Sequence, residues 1–344
     1  MKIDWIVERL NEHMILPAGC AGSDEWLLAR KSGIGGSDVG GILGMNKYYP
    51  PLHVFNEKTS NVRSDDAPIV ARAGTFLEPF VRELFSETGD CEIGKPVGMV
   101  PHKDYPFIFA NVDDVGVSKY GVCVVEYKTI GQFSKKFWPE GEVPKSYWAQ
   151  VQTYMQVLSS YFPGTTHFDH AVVVGLVANR ELIVRLVSRD DTWWSEKALP
   201  RLISFWESVE GRNPDAFWDS IVDQIDGSEA TTSSINKSFV PDEASEEVEQ
   251  LDSVLDSLFF KCQSQKAILS EAKIDFESTR NQIKVHLKEL QKGETGRYFV
   301  SWPLVDGRSS FDQSSFKEAH SELYSKFVKK SGAYRGQLTI KEKK

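Results

Sequence analysis

Three carboxylates and a lysine, Asp113, Asp114, Glu126 and Lys128, fall together in one short stretch of the sequence. Residues 107–129 read FIFANVDDVGVSKYGVCVVEYKT: an apolar run ends at Asp113–Asp114, turns through Gly116 and Gly121, and returns as VCVVEYK. Side chains alternate across a strand, so Glu126 and Lys128 point to one face. An acidic residue closing the first strand would then face Glu126 on the second. Paired carboxylates hold hard divalent cations through oxygen, and Mg²⁺ commonly takes one or two of them plus phosphate and water. Such an ion polarises a phosphodiester and helps generate hydroxide. A lysine just beyond the glutamate can orient the attacking water or offset charge building on the phosphate. The same spacing also arises in ordinary surface hairpins that carry a Glu–Lys pair, so the stretch has to be read in its context.

Three other segments supply that context. Gly74-Thr-Phe-Leu-Glu78-Pro puts Glu78 between Leu77 and Phe80 on the apolar side of a helix. A carboxylate beside buried surface needs a partner, and a metal is one; a solvated helix face is the plainer alternative. Downstream, YWAQVQTYM places Gln150 and Tyr154 four residues apart on one helix face, with Gln152 between them, where a polar stripe would look the same. Upstream, Arg30-Lys-Ser-Gly-Ile-Gly-Gly-Ser37-Asp38 is glycine-rich and leads into a helix. Such a start lets backbone N–H groups approach a phosphate, with Ser37 or Asp38 as N-cap, and a plain capped turn is the competing account. The segment lacks the G-x-x-x-x-G-K-[ST] pattern of an ATP-binding loop, and no G-x-S-x-G nucleophile elbow sits in a strand–helix setting.

The elements needed to position these groups are legible along the chain. Helical patterns cover Trp26–Arg30, Arg72–Thr88, Pro144–Leu158 and residues 192–210. Strand patterns cover Phe107–Val112, Gly121–Lys128, His170–Leu176 and Glu181–Val187. Their order predicts a mixed sheet flanked by helices, an α/β (α+β) core. Residues 227–246 are small, polar and acidic and read as a linker. Beyond it, apolar or small residues from 248 to 290 recur at alternating three- and four-residue steps, interrupted by Gln265 and Thr279. This heptad-like seam suits a long helix that either packs on its own protein or forms an intermolecular coiled coil. A short strand at Arg297–Trp302 and a helix at Phe311–Phe327 follow.

Composition sets the outer bounds. The chain has 344 residues, 41% hydrophobic and 26% charged, as a folded globular protein should. It holds no apolar run long enough to span a bilayer, and the charged N-terminus MKIDWIVERLNEH is unlike a signal peptide. Cys20, Cys91, Cys123 and Cys262 are scattered, which fits reduced thiols in a cytoplasmic protein. The net charge of −9 argues against coating nucleic acid by bulk electrostatics, although residues 317–344 hold eight basic and three acidic side chains.

Read together, Arg30…GIGGSD, GTFLEP, NVDD, VVEYK and YWAQVQTYM occur in the order seen in the YqaJ-like viral recombinase family. That family includes the exonuclease of phage lambda and belongs to the PD-(D/E)xK nuclease superfamily. The resemblance covers residues 24–215. It implies a restriction-endonuclease-like core at 1–226, with 227–246 as linker and 247–344 as a helical extension with a basic tail. The implied activity is Mg²⁺- or Mn²⁺-dependent 5′→3′ exonuclease action on double-stranded DNA. This leaves a 3′ overhang for a single-strand annealing protein during phage-type recombination. Carried over by position, Glu78, Asp113 and Glu126 are metal ligands, with Lys128 and Gln150 completing the catalytic set. Tyr154 and Gln152 support them, and Arg30 and Ser37 grip the 5′ phosphate. The family usually has Asp-Gly where this chain has Asp113-Asp114, so Asp114 is the alternative ligand. A homo-oligomeric, trimeric ring around DNA is the implied assembly, in a phage or prophage protein of a bacterial cytoplasm. An inactive DNA-end-binding scaffold and a structure-specific endonuclease are the alternatives.

Overall fold

The computed structural model describes all residues except 1–2, 21, 47, 60–68, 166, 212–224, 226, 240–247, 254, 308–309, 330–337, 339 and 341–344. It divides into two compact units, Met1–Ser238 and Phe239–Lys344.

The first unit is built on a five-stranded sheet ordered β2(Cys91–Ile93), β5(Asp114–Ser118), β6(Gly121–Ile130), β7(His170–Val177), β8(Glu181–Ser188). Only β6 and β7 run parallel; the other neighbours are antiparallel. The parallel step needs a crossover, supplied by helix α6(Lys145–Ser159). Strand β7 reads HAVVVGLV and is buried throughout, as expected of a central strand covered on both faces.

Alternation along β6 divides the core in two. Cys123, Val125 and Tyr127 pack with Val81 and Phe85 of α5(Ile69–Thr88) on one face. Val124 and Ile130 pack on the other face with Ala149, Val151 and Met155 of α6. Each fully buried aliphatic or aromatic side chain contributes about 1.5–3 kcal/mol of transfer free energy. The alternation also fixes which chemistry faces which helix: Glu126 and Lys128 share the α6 face.

Two expectations change here. The run Phe107–Val112 does not pair with β6. Its centre, β4(Ile108–Ala110), joins β1(Ile34–Gly35) and β3(Val100–Pro101) in a separate three-stranded sheet. The partner of β6 is β5, which contains Gly116, and the reversal is the tight turn between Ser118 and Gly121, where Gly121 takes φ 114°. Gly116 lies inside the strand because a Cβ there would meet the Cys91 thiol of β2 and Val125. Second, the expected linker 227–246 contains a helix, Glu229–Ser238, with Thr231 and Ser234 buried and Ile235 against the core. The small hydroxyl side chains that suggest a loop here let the helix lie close to its neighbours. Residue 226 at the border, 240–246 of the linker and residues 330–337, 339 and 341–344 of the basic tail lie outside the described residues.

The helices α1(Ile3–Asn11), α2(Asp24–Lys31), α3(Gly36–Ile42) and α4(Pro51–Thr59) precede α5. On α5, Val81 and Phe85 are buried, whereas Phe76 is 82% exposed and Phe80 also faces solvent. The apolar side of this helix therefore narrows toward its N-terminal half, where Glu78 stands half-buried.

In the second unit, Leu255–Leu287 is a single 33-residue helix, about 50 Å long. Leu287 is its one buried residue among those described, and Leu258, Leu269, Phe276 and Ile283 are exposed. The hairpin β9(Lys292–Glu294)–β10(Phe299–Ser301) follows. The expected helix at Phe311–Phe327 is split into Gln313–Ala319 and Ser321–Phe327.

Candidate active site

The strand register sorts the two adjacent aspartates. Asp114 pairs with Val125 and so turns to the α5 face. There its carboxylate accepts from Arg82 Nε at 2.6 Å and from the Tyr127 hydroxyl at 2.8 Å. Asp113, one residue earlier, points the opposite way, and its Oδ2 accepts the Tyr127 backbone N–H at 2.8 Å. Its carboxyl group and that of Glu126 are close enough to influence each other electrostatically.

Glu126 is the centre of the arrangement. It is buried, its Oε1 accepts from Gln150 Nε2 at 2.7 Å and from the Lys128 ammonium, and among the described residues no donor reaches its Oε2. A buried, unpartnered carboxylate oxygen is costly unless a proton or cation completes it. Lys128 Nζ also lies 5.1 Å from the centre of the Tyr147 ring, a cation–π contact. Gln150 donates onward to the Tyr154 hydroxyl at 3.0 Å. The Tyr154 ring in turn lies against Gly36, where a Cβ would collide with it. The carboxylates and the start of α3 are thus one continuous site.

Electrostatics follow from that crowding. Burial raises the Asp113 carboxyl well above its ordinary value, and the neighbouring Glu126 adds to the effect. Burial raises Glu126 too, against the pull of Lys128. Burial works against the Lys128 charge, but Glu126 and Asp113 outweigh it and hold its pKa above the ordinary value. Glu78 is raised by partial burial and then by Asp113. It senses Asp113 and Lys128 electrostatically. Among the described residues no group of three or more His, Cys, Asp or Glu closes into a metal-holding cluster. The Asp113–Glu126 pair, with its unpartnered oxygen and acceptor-only donor set, fits a hard divalent cation, with Glu78 at the margin.

A stability consequence can be measured. Between the ordinary carboxyl values, 3.8 and 4.5, and the raised folded values, the folded chain binds more protons than the unfolded one. Stability therefore falls as pH rises through that interval. In chelator, the melting temperature of wild type should drop more steeply than that of Asp113→Asn as pH rises above the ordinary carboxyl range. Identical slopes in thermal melts of the two proteins would rule out a raised Asp113 carboxyl.

At the other end of the site, Arg30 Nη2 donates to Ser37 Oγ at 3.3 Å and to Asp38 Oδ1 at 2.5 Å. Arg30 and Ser37 are thus neighbours, as their assignment to one phosphate requires. The helix cap differs from expectation: Gly35 is the N-cap, and Asp38, at the third helical position, accepts its N–H at 2.9 Å. Lys58, unremarked in the sequence, is buried and donates to Asp38 Oδ2 at 2.6 Å. Its apolar neighbours Val54 and Phe55 mark a buried helix, and that was the available signal. Gln152 is not brought to the site. Its amide bridges the Ser188 carbonyl (2.6 Å) and the Asp190 N–H (2.8 Å), tying α6 to the end of β8.

Residues 25–167 match the model of the YqaJ-like viral recombinase domain, and every site residue named above from the sequence falls inside that span. YqaJ of Bacillus subtilis (strain 168), an uncharacterized protein, is 29% identical over 326 residues, covering 93% of this chain and 94% of that protein. An alkaline exonuclease structure from Laribacter hongkongensis is 17% identical at a TM-score of 0.43, covering 55% of this chain and 94% of that one. A phage-related exonuclease from Haemophilus somnus 129PT is 11% identical at a TM-score of 0.37, covering 56% and 96% respectively. Among the described residues no helix is long and apolar enough to cross a membrane.

Proposed function

With residues 25–167 forming a YqaJ-like viral recombinase domain, we propose that the chain is a divalent-metal-dependent DNA nuclease. Its action would be 5′→3′ exonucleolysis of double-stranded ends, leaving 3′ overhangs for a single-strand annealing partner. The observation that carries this reading is the Asp113–Glu126 carboxyl pair with Lys128 and Gln150 on the same Glu126 oxygen. Asp113 and Glu126, with Glu78 beside them, would hold Mg²⁺ or Mn²⁺. When bound, the ion polarises the phosphodiester and lowers the pKa of water.

The chain's own residues supply the rest. Gln150 holds Glu126 in place, and Lys128 keeps a positive charge where the phosphate becomes more negative. Arg30 and Ser37 take the terminal 5′ phosphate through a charge-assisted contact. The path Glu126–Gln150–Tyr154–Gly36 sets a fixed span between that phosphate and the reacting bond. A fixed span from a terminus favours an exonuclease over an endonuclease, and the complete carboxylate–lysine set favours activity over an inert end-binding scaffold.

End-labelled linear duplex incubated with Mg²⁺ tests this directly. Mononucleotide release from 5′-phosphorylated ends is expected, faster than from 5′-hydroxyl ends, with closed circular duplex resistant. Cleavage of the circle would favour the endonuclease, and no cleavage with either metal would favour the scaffold. A trimeric ring around DNA belongs to the same proposal, because enclosure lets an acidic chain stay on its substrate. Light scattering reads the subunit number, and a monomer would remove the ring.

A further inference from the structure

Outside the carboxylate pair, two heavily buried opposite charges of the first unit lie behind Arg30. Asp38 is 0% exposed and the Lys58 side chain 3%, whereas the Arg30 side chain is 27% exposed. Asp38 spends one oxygen on Arg30 Nη2 and the other on Lys58 Nζ and the Gly35 N–H. Lys58 Nζ also donates to the Arg30 backbone carbonyl at 2.6 Å. The Arg30 guanidinium carbon sits 5.1 Å from the centre of the Trp26 ring. The side-chain hydrogen bonds that Arg30 makes to Ser37 and Asp38 both use Nη2, and its side chain keeps 27% exposure.

We infer that Asp38 and Lys58 are positioning residues that present Arg30 to the 5′ phosphate, an inference that rests on the end-recognition reading above. Asp38 fixes the guanidinium by one nitrogen and Trp26 fixes its plane. A lone aspartate there would also cancel the arginine's charge and repel a phosphate. Lys58 removes that conflict: it neutralises Asp38 from behind while pinning the Arg30 backbone, so the arginine keeps a net positive charge to offer. The remaining acid nearby, Glu57, is occupied by the Tyr49 hydroxyl and by His53 Nε2 at 3.3 Å. Neither Asp38 nor Lys58 has surface enough to touch DNA itself. Their effect must pass through Arg30.

The experiment compares kcat/KM on 5′-phosphorylated and 5′-hydroxyl ends for wild type, Lys58→Met and the double variant Asp38→Asn/Lys58→Met. The double variant removes both buried charges together and keeps an amide oxygen to accept from Arg30, so it carries the test if Lys58→Met fails to fold. In both variants the phosphate-to-hydroxyl ratio should fall about tenfold, the scale of one charge-assisted hydrogen bond. The loss should appear in KM for phosphorylated ends. A purely structural role would lower turnover on both ends in proportion and leave the ratio unchanged. A wild-type ratio in the folded variants overturns the inference. A wild type that does not discriminate between the ends removes the end-recognition reading itself, and this is seen before any variant is made.

Discussion

Glu126→Gln and Asp113→Asn should each reduce cleavage of linear duplex by about three orders of magnitude or more while leaving the protein as stable as wild type, or more so. The two effects have one cause. Glu126 is buried, Asp113 is partly so, and both are raised in pKa, so the folded chain bears a cost for keeping them together. Converting either to its amide keeps the shape and removes the like-charge conflict. It also removes the anionic oxygen needed to hold a cation, and transition-state stabilisation of several kcal/mol goes with it. Stability held or raised with activity lost marks a functional carboxylate pair, because a structural one would lose both. Asp114→Ala should show the opposite pattern. It leaves Arg82 and the buried Tyr127 hydroxyl without their shared acceptor, at a cost of about 1–3 kcal/mol, and retains cleavage. Rate assays under saturating Mg²⁺, with thermal melts on the same samples, read both quantities. An active, folded Asp113→Asn beside an inactive, folded Asp114→Ala would move the ligand assignment by one residue.

That pair of aspartates also shows what the sequence could and could not tell. Alternation placed Glu126 and Lys128 on one face, because a ten-residue strand leaves little freedom in which way its side chains point. It could not choose between Asp113 and Asp114, since the choice depends on where β5 begins. Gly116 was the obstacle. Glycine usually marks a turn, and here it sits inside a strand because the Cys91 thiol of β2 crosses over it. Long-range packing of that kind leaves no local pattern. Lys58 escaped notice for a similar reason: a lysine just before the polar run SNVRSDD at 60–66 looks like a solvated helix end, and only the fold of α4 against α3 buries it. By contrast, α6 was legible nearly to the residue, because Pro144 opens it and its apolar and amide positions repeat with the helix period. The extension was legible only as a helix. Its seam repeats in sequence, yet Leu258, Leu269 and Phe276 stay exposed, and periodicity alone does not name a partner.

Lys128→Ala should bind duplex ends within about threefold of wild type while slowing the chemical step by about 10²–10³, the scale of removing one preorganised electrostatic stabiliser. The ammonium already has partners before any phosphate arrives: it bonds Glu126, lies over the Tyr147 ring, and is largely buried. A group so engaged adds little to ground-state binding. Its charge becomes most valuable as negative charge builds on the reacting phosphate, and stabilisation gained only there appears in the rate rather than in the affinity. Its raised pKa sharpens the expectation. A lysine held above its ordinary value stays protonated through the neutral range, so it cannot serve as the general base. Any inflection in the pH–rate profile below about pH 8 should then come from the carboxylates, and it should survive in Lys128→Ala at a lower plateau. Single-turnover cleavage and equilibrium binding, the latter with Ca²⁺ in place of Mg²⁺, separate the two contributions. Binding lost with the single-turnover rate intact would make Lys128 a phosphate anchor. Loss of the inflection in the variant would make it a proton carrier, which the Glu126 contact and the raised pKa both oppose.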